Sequence, residues 1–478
     1  MLIAIALLAL AAALLGRLGQ AIVQDTWLAL LAGRDIAEHG LPHRESLTLF
    51  AHGGRWVDQQ WLAQLAMYEL DQAGGVVLVG FVNAALVMVG LLGAILAARD
   101  LGASARSVVR VLPLVVWTIA VTASARTQPW AYPLFSALVW LLASDARRSS
   151  GRVASDARRS SGRVWWCLAL LVLWGNVHGS ASLGAGLVVL RGLTILWERR
   201  DRLRRAPRAW IRPVGLIVGA PLCLLANPYG LAIVHYYRAT LFNGALRNLV
   251  TEWEPVTSSP VIAALFFLTA GIVVWSFGRH RSQTTLWERA AILLLAAGAV
   301  DAVRNVVWFN LATVVVLPLS IDGAVRAREP RRRSHPRLNM AVATLTTAAL
   351  VLSAQVAASR SAAGRNYPAS GLGAVRRAVT AAPSLRVFAD ERFADWLLWR
   401  LPELRGRVAY DARFELLSAR QLAAIVNFKA QAGPGWQAIA AGYRLLVLQR
   451  SSTATSQLEQ APGARVLFDR DGMVVVLR

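Results

Sequence analysis

Residues 75–98 read GVVLVGFVNAALVMVGLLGAILAA and contain no charged side chain. About 20 apolar residues of helix cross the roughly 30 Å hydrocarbon core of a bilayer. The rest of the chain is similar: 56% of its 478 residues are hydrophobic, 16% are charged and the mean hydropathy is +0.46. Soluble proteins average about 25% charged residues. The composition therefore excludes a string of soluble domains and predicts a polytopic membrane protein.

Arginine-rich loops alternate with the apolar segments and predict their orientation. Every second connection is basic, as in residues 144–163 and 198–212. Because cytoplasmic loops carry the excess of Arg and Lys, we expect the N-terminus inside and the segment after the last span outside. The first span lacks a basic start and is expected to remain uncleaved. The eleven predicted spans lie near 2–22, 75–98, 107–125, 129–143, 164–177, 180–197, 213–226, 260–277, 289–304, 305–323 and 339–357.

The net charge of +24 is carried by arginine, since Lys429 is the only lysine. In a soluble protein this charge would suggest nucleic acid. Here the arginines flank apolar spans, so membrane topology explains them and nucleic-acid binding is not expected. Cys167 and Cys223 both fall inside apolar segments and predict neither a disulfide framework nor a metal cluster.

One tandem repeat is present, ASDARRSSGRV at 143–153 and again at 154–164. A polar cytoplasmic loop tolerates such a duplication because extra loop length changes the closure entropy little. A phosphoregulated basic loop is the alternative interpretation.

The composition changes near residue 359, where short β-like and helical stretches begin to alternate. We expect a helical transmembrane domain over 1–358, with a long first outer loop at 25–73, and a soluble extracytoplasmic α/β domain over 359–478. The closing segment 466–477 predicts a hairpin that turns at Asp471-Gly472.

Two acids of the first outer loop are catalytic candidates, Asp25 and Asp58. Asp25 stands where the first span meets the outer surface, and a carboxylate there is unfavourable unless solvated or used. Each acid also precedes a predicted amphipathic helix, near 27–36 and 59–70, so each has an N-cap as its alternative role.

Two arginines and one histidine at outer span ends are candidates for binding phosphate. Arg126 stands at a predicted outer span end, whereas arginine is usually found on the cytoplasmic side, so we expect it to have an anionic partner. The alternative is an arginine whose side chain reaches lipid headgroups. His178 can donate to phosphate, shuttle a proton or simply end a helix. Arg304 can bind phosphate or pair with Asp301 one turn earlier.

In the outer domain, Asp390, Asp411 and Arg413 are candidates for acceptor recognition, although charged loops are normal on any soluble α/β domain. Several motifs are absent from the sequence: a Walker-type loop, CxxC, HExxH and GxSxG. ATP-driven transport and zinc proteolysis therefore lose support.

In order along nearly the whole chain, the motifs resemble the GT-C superfamily of polytopic membrane glycosyltransferases, and within it a bacterial family of glycosyltransferase-like membrane proteins. The matching motifs are D-T-W (25–27), G-R-D-I (33–36), G-L-P-x-x-E-S (40–46), W-V-D-Q-Q-W-L (56–62), R-T-Q-P (126–129), W-G-N-V-H-G (174–179), N-P-Y-G (227–230), E-W-E-P (252–255), R-N-V (304–306), F-A-D-E-R-F-A-D-W-L-L-W-R-L-P (388–402) and Y-D-A-R-F-E-L (410–416).

The resemblance implies transfer of a sugar from a polyprenyl-phosphate donor to an envelope acceptor, outside the bacterial cytoplasmic membrane. Asp25 would be the general base, and Arg126, His178 and Arg304 fit the donor phosphate. Many superfamily members have a second acid in a later outer loop, often supporting a metal. The loop after the third span offers Arg126 and no acid, so we expect an inverting, metal-independent transfer without cofactors.

Two other classes of function fit the same sequence. A non-catalytic lipid-glycan binding or transport component would need the cationic residues but not Asp25. A scaffold or adhesion protein would bind its partner through residues 359–478.

Overall fold

The structure, a computed structural model, describes residues 2–16, 18–151, 162–201, 206–241, 244, 249–325 and 366–478. The chain is mainly helical with one small sheet, as predicted. The expected span at 339–357 and most of the second repeat copy lie outside the described residues.

Helices occupy each predicted span from 2–22 to 305–323. They are α1 (Leu2–Gly16), α2 (Leu18–Ala21), α3 (Gln24–His39), α4 (Trp61–Asp100), α5 (Ala105–Thr122), α6 (Tyr132–Ser149), α7 (Trp166–Gly175), α8 (Ala181–Glu198), α9 (Ile211–Leu224), α10 (Ala232–Leu241), α11 (Pro260–Arg279), α12 (Leu286–Asp301) and α13 (Val306–Val325). Four segments are long and apolar enough to cross a membrane by length and composition: Trp61–Asp100, Ala181–Glu198, Pro260–Arg279 and Val303–Gly323. The number of crossings and their orientation stay predictions.

Helix α4 combines two predicted elements. The amphipathic stretch 59–70 and the span 75–98 follow each other without a loop, separated by non-helical backbone at Gly74 and Gly75. Gly75 has φ +69°, a left-handed conformation that glycine adopts without steric penalty. The two helices therefore meet at a kink.

Helices α3 and α4 cross at very short range. A Cβ atom added to Gly33 of α3 would lie 2.3 Å from the Gln64 carbonyl oxygen and 2.7 Å from Tyr68 Cβ. Only a residue without a side chain allows this approach, which fixes α3 on α4.

The arginine-rich ends of the bundle meet through buried ion pairs. Arg147 of α6 donates to Glu288 of α12 at 2.5 Å, and Arg191 of α8 donates to Asp145 at 2.7 Å. Asp145 and Arg147 belong to the first repeat copy, so its assignment to a polar loop was wrong. Residues 143–149 of this copy form the end of α6, because Asp145 and Arg147 find buried partners on neighbouring helices.

The C-terminal domain, residues 366–478, is called the outer domain after its predicted location. It contains a four-stranded sheet in the order β1-β2-β4-β3. β1 runs parallel to β2, and β4 pairs antiparallel with β2 and with β3. The closing hairpin is confirmed: Asp471 and Gly472 both have positive φ, 52° and 77°, as a type I′ turn requires. The helices and strands of the whole domain are α14 (Ala369–Ala381), β1 (Val387–Ala389), α15 (Glu391–Arg400), α16 (Ala419–Ala430), β2 (Leu445–Gln449), α17 (Thr453–Glu459), β3 (Arg465–Arg470) and β4 (Met473–Leu477).

The first outer loop adds backbone to this domain. The Leu49 amide donates to the Val408 carbonyl at 2.8 Å, and the Phe50 amide donates to Ala409 at 2.9 Å. Val408 in turn bridges Val387 of β1. The loop and the domain also share a core, which includes Trp27, Leu30, Leu47, Trp56, Val375, Phe393, Trp396 and Val447.

Candidate active site

A cavity of about 460 Å³ lies between the helix bundle and residues 412–415 of the outer domain. Trp308 forms part of its wall and packs on Phe135 and Trp174, with ring centroids 5.1 and 5.8 Å apart. This side of the cavity is therefore aromatic and closely packed. The charged or titratable side chains that line it are Asp25, Arg126, His178, Tyr236, Tyr237, Glu252, Arg304, Arg413 and Glu415.

Asp25 enters this cavity from the first turn of α3. The N-cap of α3 is Val23, two residues earlier, so the alternative prediction that Asp25 caps the helix is wrong. The Thr26 hydroxyl donates to the carbonyl oxygen of Ala125. This bond holds the start of α3 against the segment that carries Arg126.

Arg126 is the charge partner of Asp25. Its Nη1 lies 3.5 Å from Asp25 Oδ2 and forms a closer salt bridge with Glu252, while its Nη2 donates to Gln128. The anionic partners of Arg126 seen here thus come from the protein itself. Binding of a phosphate by Arg126 stays a prediction. Arg126 is only 6% exposed, so the alternative of an arginine reaching lipid headgroups is wrong.

Arg304 reaches the cavity from the turn before α13. Its guanidinium carbon lies 4.6 Å from the ring centroid of Trp253, a distance typical of a cation–π contact. The Gln128 amide donates to the Arg304 carbonyl at 3.3 Å. Among the described residues, no carboxylate lies within salt-bridge distance of this guanidinium. Arg304 can therefore receive an anionic ligand without losing a protein partner.

His178 presents a neutral ring. Its Nδ1 accepts from the Ser180 amide at 3.1 Å and lies 2.7 Å from the Ser180 hydroxyl, which accepts from Trp174 Nε1. Burial lowers the pKa of His178 well below its usual range, and Arg304 and Arg126 lower it further. With Nδ1 accepting, the proton of the neutral ring sits on Nε2, which can donate to a ligand.

The turn that carries His178 is held by two asparagines of the sequence motifs. Asn176 donates to the Ala226 carbonyl at 2.8 Å and accepts from Trp61 Nε1 at 2.8 Å. Asn227 donates to the Gly175 carbonyl at 3.2 Å. The W-V-D-Q-Q-W-L, W-G-N-V-H-G and N-P-Y-G motifs thus form one hydrogen-bonded unit beside the cavity.

Asp25 and Glu252 have opposite pKa shifts although both face Arg126. Burial raises the pKa of Asp25, Arg126 opposes this and the charge of Glu252 adds to it. Burial also acts on Glu252, but Arg126 and then Arg304 outweigh it and lower its pKa below the usual value. When two neighbouring carboxyl groups have pKa values shifted in opposite directions, the one with the raised pKa is suited to accept a proton and the other stays ionised. Glu252 remains the ionised partner of Arg126, while Asp25 is the more basic carboxylate.

The outer domain contributes Arg413 and Glu415 to the cavity. Arg413 Nε donates to Asp411 at 2.9 Å, Nη2 donates to Glu45, and the guanidinium carbon lies 4.3 Å from the Trp56 ring centroid. Burial raises the pKa of Glu415 to about 7. This side of the cavity therefore has one fixed cation, Arg413, and one carboxyl group, Glu415, whose pKa is raised to about 7.

Three predicted site residues do not line the cavity. Asp58 is buried, and its Oδ2 has no hydrogen-bond partner among the described residues. Asp390 caps α15 by accepting from the Arg392 amide at 3.1 Å. Asp411 positions Arg413. The catalytic role of Asp58 and the acceptor roles of Asp390 and Asp411 stay predictions.

Two cavity acids were not among the predicted site residues. Glu252 and Glu415 lie in quoted motifs, E-W-E-P and Y-D-A-R-F-E-L, and that was their only signal in the sequence. Over the described ranges, no group of three or more His, Cys, Asp or Glu side chains is arranged to hold a metal ion.

Comparison with solved structures finds the same fold in ArnT from Cupriavidus metallidurans. The apo state of ArnT aligns with a TM-score of 0.50 at 12% identity, covering 95% of this chain and 93% of ArnT. ArnT bound to undecaprenyl phosphate aligns with a TM-score of 0.49 at 15% identity, covering 98% and 97%. Neither a family model nor a curated protein matches the sequence.

The likeness to apo ArnT extends over nearly the whole of both chains. The protein thus shares the fold of a GT-C polytopic membrane glycosyltransferase. This agrees with the resemblance found in the sequence motifs at the level of the fold.

Proposed function

We propose that this protein is a glycosyltransferase that moves a sugar from a polyprenyl-phosphate donor to an envelope acceptor, on the outer face of the bacterial cytoplasmic membrane. One observation carries the proposal: a single cavity contains Asp25, a carboxylate with a raised pKa, and Arg304, whose guanidinium forms no salt bridge with an acid among the described residues. The fold shared with ArnT supports it.

In this reaction the acceptor hydroxyl oxygen attacks the anomeric carbon of the donor sugar. The bond from that carbon to the phosphate oxygen breaks, and the polyprenyl phosphate leaves with the electron pair. Asp25 takes the hydroxyl proton, and its raised pKa makes it a better base than an ordinary aspartate. Attack opposite the leaving phosphate inverts the anomeric centre.

The leaving phosphate develops negative charge that the cavity can stabilise. Arg304 offers a planar guanidinium that matches two phosphate oxygens, and His178 Nε2 adds a neutral donor. Arg126 lies between Asp25 and Glu252, and its positive charge also helps to stabilise the negative charge of the leaving phosphate. Fixed donors aimed at developing charge act without reorganisation of solvent.

An apolar path fits the polyprenyl tail. Leu183 and Leu241 line the cavity, and Leu241 is 49% exposed at the end of α10. Leu231 and Val234 extend the exposed apolar surface along the same segment, at 77% and 41%. A donor with its phosphate at Arg304 can therefore keep its tail on a surface suited to lipid.

Native mass spectrometry of the detergent-purified protein with added polyprenyl phosphate tests this assignment. We expect wild type to retain the lipid and Arg304→Ala to lose it. Arg208→Ala, a change at an exposed arginine outside the cavity, should retain it. Equal retention by all three proteins at matched yield and folding would contradict a phosphate site at Arg304.

A further inference from the structure

The sheet of the outer domain has two unlike edges. Beside β1, Val408 bridges Val387, and Leu49 of the first outer loop pairs with Val408 in turn. At the opposite edge, β3 pairs with β4 and, among the described residues, no strand or isolated bridge lies on its other side. The outward backbone N–H and C=O groups of β3 can therefore pair with another strand.

A groove of about 530 Å³ follows this free edge of β3. One wall is a single stripe of α14, formed by Ser370, Gly373 and Arg377, and the other wall is residues 466–470 of β3. Because successive side chains of a strand point to opposite faces of the sheet, contact with five consecutive residues places the groove along the edge. The helix and the strand edge thus enclose a space shaped for an extended chain.

The groove is positively charged. Arg377 lies on its helical wall, and Arg470 lies at the end of its strand wall. Neither side chain has a hydrogen bond or salt bridge among the described residues. Asp469 also lines the groove, but Arg450 Nε already donates to its carboxylate at 2.8 Å. The two free arginines therefore favour an anionic ligand.

Two occupants from the chain itself fit this charge poorly. A second copy of β3, paired antiparallel over its whole length, would bring Arg465 of one copy opposite Arg470 of the other, and like charges directly opposite destabilise a strand pair. Residues 326–365, which precede the outer domain, carry eight arginines and one acid, Glu329. A strand with acidic side chains would instead place carboxylates opposite the arginines.

We propose that this edge of the outer domain binds an extended acidic peptide segment of a partner protein, which adds a strand beside β3. The acidic side chains face Arg377 and Arg470, and an apolar side chain between them packs on Val466, which is 44% exposed. Strand addition at a sheet edge gains affinity from the backbone and specificity from the side chains. An anionic membrane surface could neutralise the arginines but could not pair with the backbone of β3. The site does not depend on the proposed glycosyl transfer.

The site is tested on the full-length protein in detergent by fluorescence anisotropy, with a short labelled peptide of alternating Glu and Val. We expect wild type to bind this peptide saturably and not to bind the corresponding peptide of Lys and Val. Arg377→Gln combined with Arg470→Gln should weaken binding about fivefold, since each cross-strand pair of opposite charges contributes modestly. The matched control combines Arg376→Gln with Arg420→Gln, two exposed arginines outside the groove, and should change little.

A second comparison separates strand pairing from attraction by charge alone. The same acidic peptide with N-methylated backbone amides keeps its charge but cannot donate to β3, so it should not bind. Hydrogen exchange should show that the unmodified peptide protects the amides of residues 465–470. Equal binding of the N-methylated peptide would mean that charge alone attracts the ligand, as at an anionic membrane surface, and would overturn the proposal. Absence of saturable binding by wild type, or unprotected amides in β3, would also overturn it.

Discussion

At the residue scale, the charges around Asp25 set the pH at which it can act as a base. Burial and Glu252 raise its pKa, and Arg126 lowers it. A general base works only when deprotonated, so transfer activity should fall as the pH drops through the raised pKa. Removing the charge of Arg126 or that of Glu252 should therefore shift the acid limb of the pH profile in opposite directions.

Replacing either neighbour of Asp25 should shift the acid limb of kcat/KM. Arg126→Gln removes the opposing positive charge and should move the limb to higher pH by about one unit. Glu252→Gln removes a like charge and frees Arg126, so the limb should move to lower pH. The profile is measured on residual activity, since both variants also lower the rate. Shifts in the same direction would contradict the electrostatic account.

The raised pKa of Asp58 predicts that the stability of the folded protein depends on pH. Burial raises its pKa to about 7 in the folded protein, from the usual 3.8. Between these values the folded state binds more protons than the unfolded state, so the group lowers stability as the pH rises to about 7 and adds no further change above it. The shift corresponds to a loss on the order of 4 kcal/mol.

Thermal unfolding in detergent between pH 4 and 8 tests this prediction. Asp58→Asn is neutral throughout, so its Tm should fall less than that of wild type as the pH rises to 7. Parallel Tm curves for the two proteins would show that Asp58 does not titrate in this range.

At the scale of elements, hydrophobic runs were enough to predict where the helices lie in the sequence, but not how consecutive helices are joined. The link between the helices of α4 depends on the φ of Gly75, which the sequence leaves open. The end of α6 was misjudged because the partners of Asp145 and Arg147 lie on α8 and α12, far along the chain.

The crossing of α3 and α4 makes a prediction about packing. Gly33→Ala places a methyl group against the Gln64 carbonyl, and a strained core substitution of this kind lowers stability by about 1–3 kcal/mol. Because α3 also carries Asp25, activity should fall together with Tm. Gly186→Ala on α8, where a Cβ meets no atom within 4 Å, is the matched control. An unchanged Tm for Gly33→Ala would mean that the helices can separate freely.

At the scale of the whole molecule, the first outer loop and the outer domain share a core and a sheet edge. Trp27 and Trp56 from the loop pack in the same cluster as Val375 and Trp396. The sequence predicted both parts, but the alternation of strands and helices does not reveal which distant segment completes the sheet.

Residues 366–478 alone should therefore fold poorly, because they lack the apolar partners that the loop supplies. Circular dichroism should show no cooperative melting for this fragment. Joining residues 41–58 to it through a flexible linker should improve folding. A cooperative transition in the isolated fragment, unaffected by the added segment, would mean that the outer domain is independent.

The candidate site was predictable only in part. Asp25, Arg126, His178 and Arg304 were identifiable because each polar residue stands at a predicted outer span end, and the structure brings all four to one cavity. Glu252 appeared in the sequence only as part of the E-W-E-P motif. Its pairing with Arg126 joins positions 126 residues apart, and no local pattern reports such a contact.

The most direct test of the proposed function is transfer activity of Asp25→Asn, measured in lipid nanodiscs with a polyprenyl-phosphate sugar that wild type uses. Loss of a general base lowers the rate by about 10²–10⁴-fold, and donor retention in native mass spectrometry should be unchanged. Asp301→Asn, an exposed acid outside the cavity, should keep wild-type activity. Full transfer by Asp25→Asn would contradict the proposed mechanism.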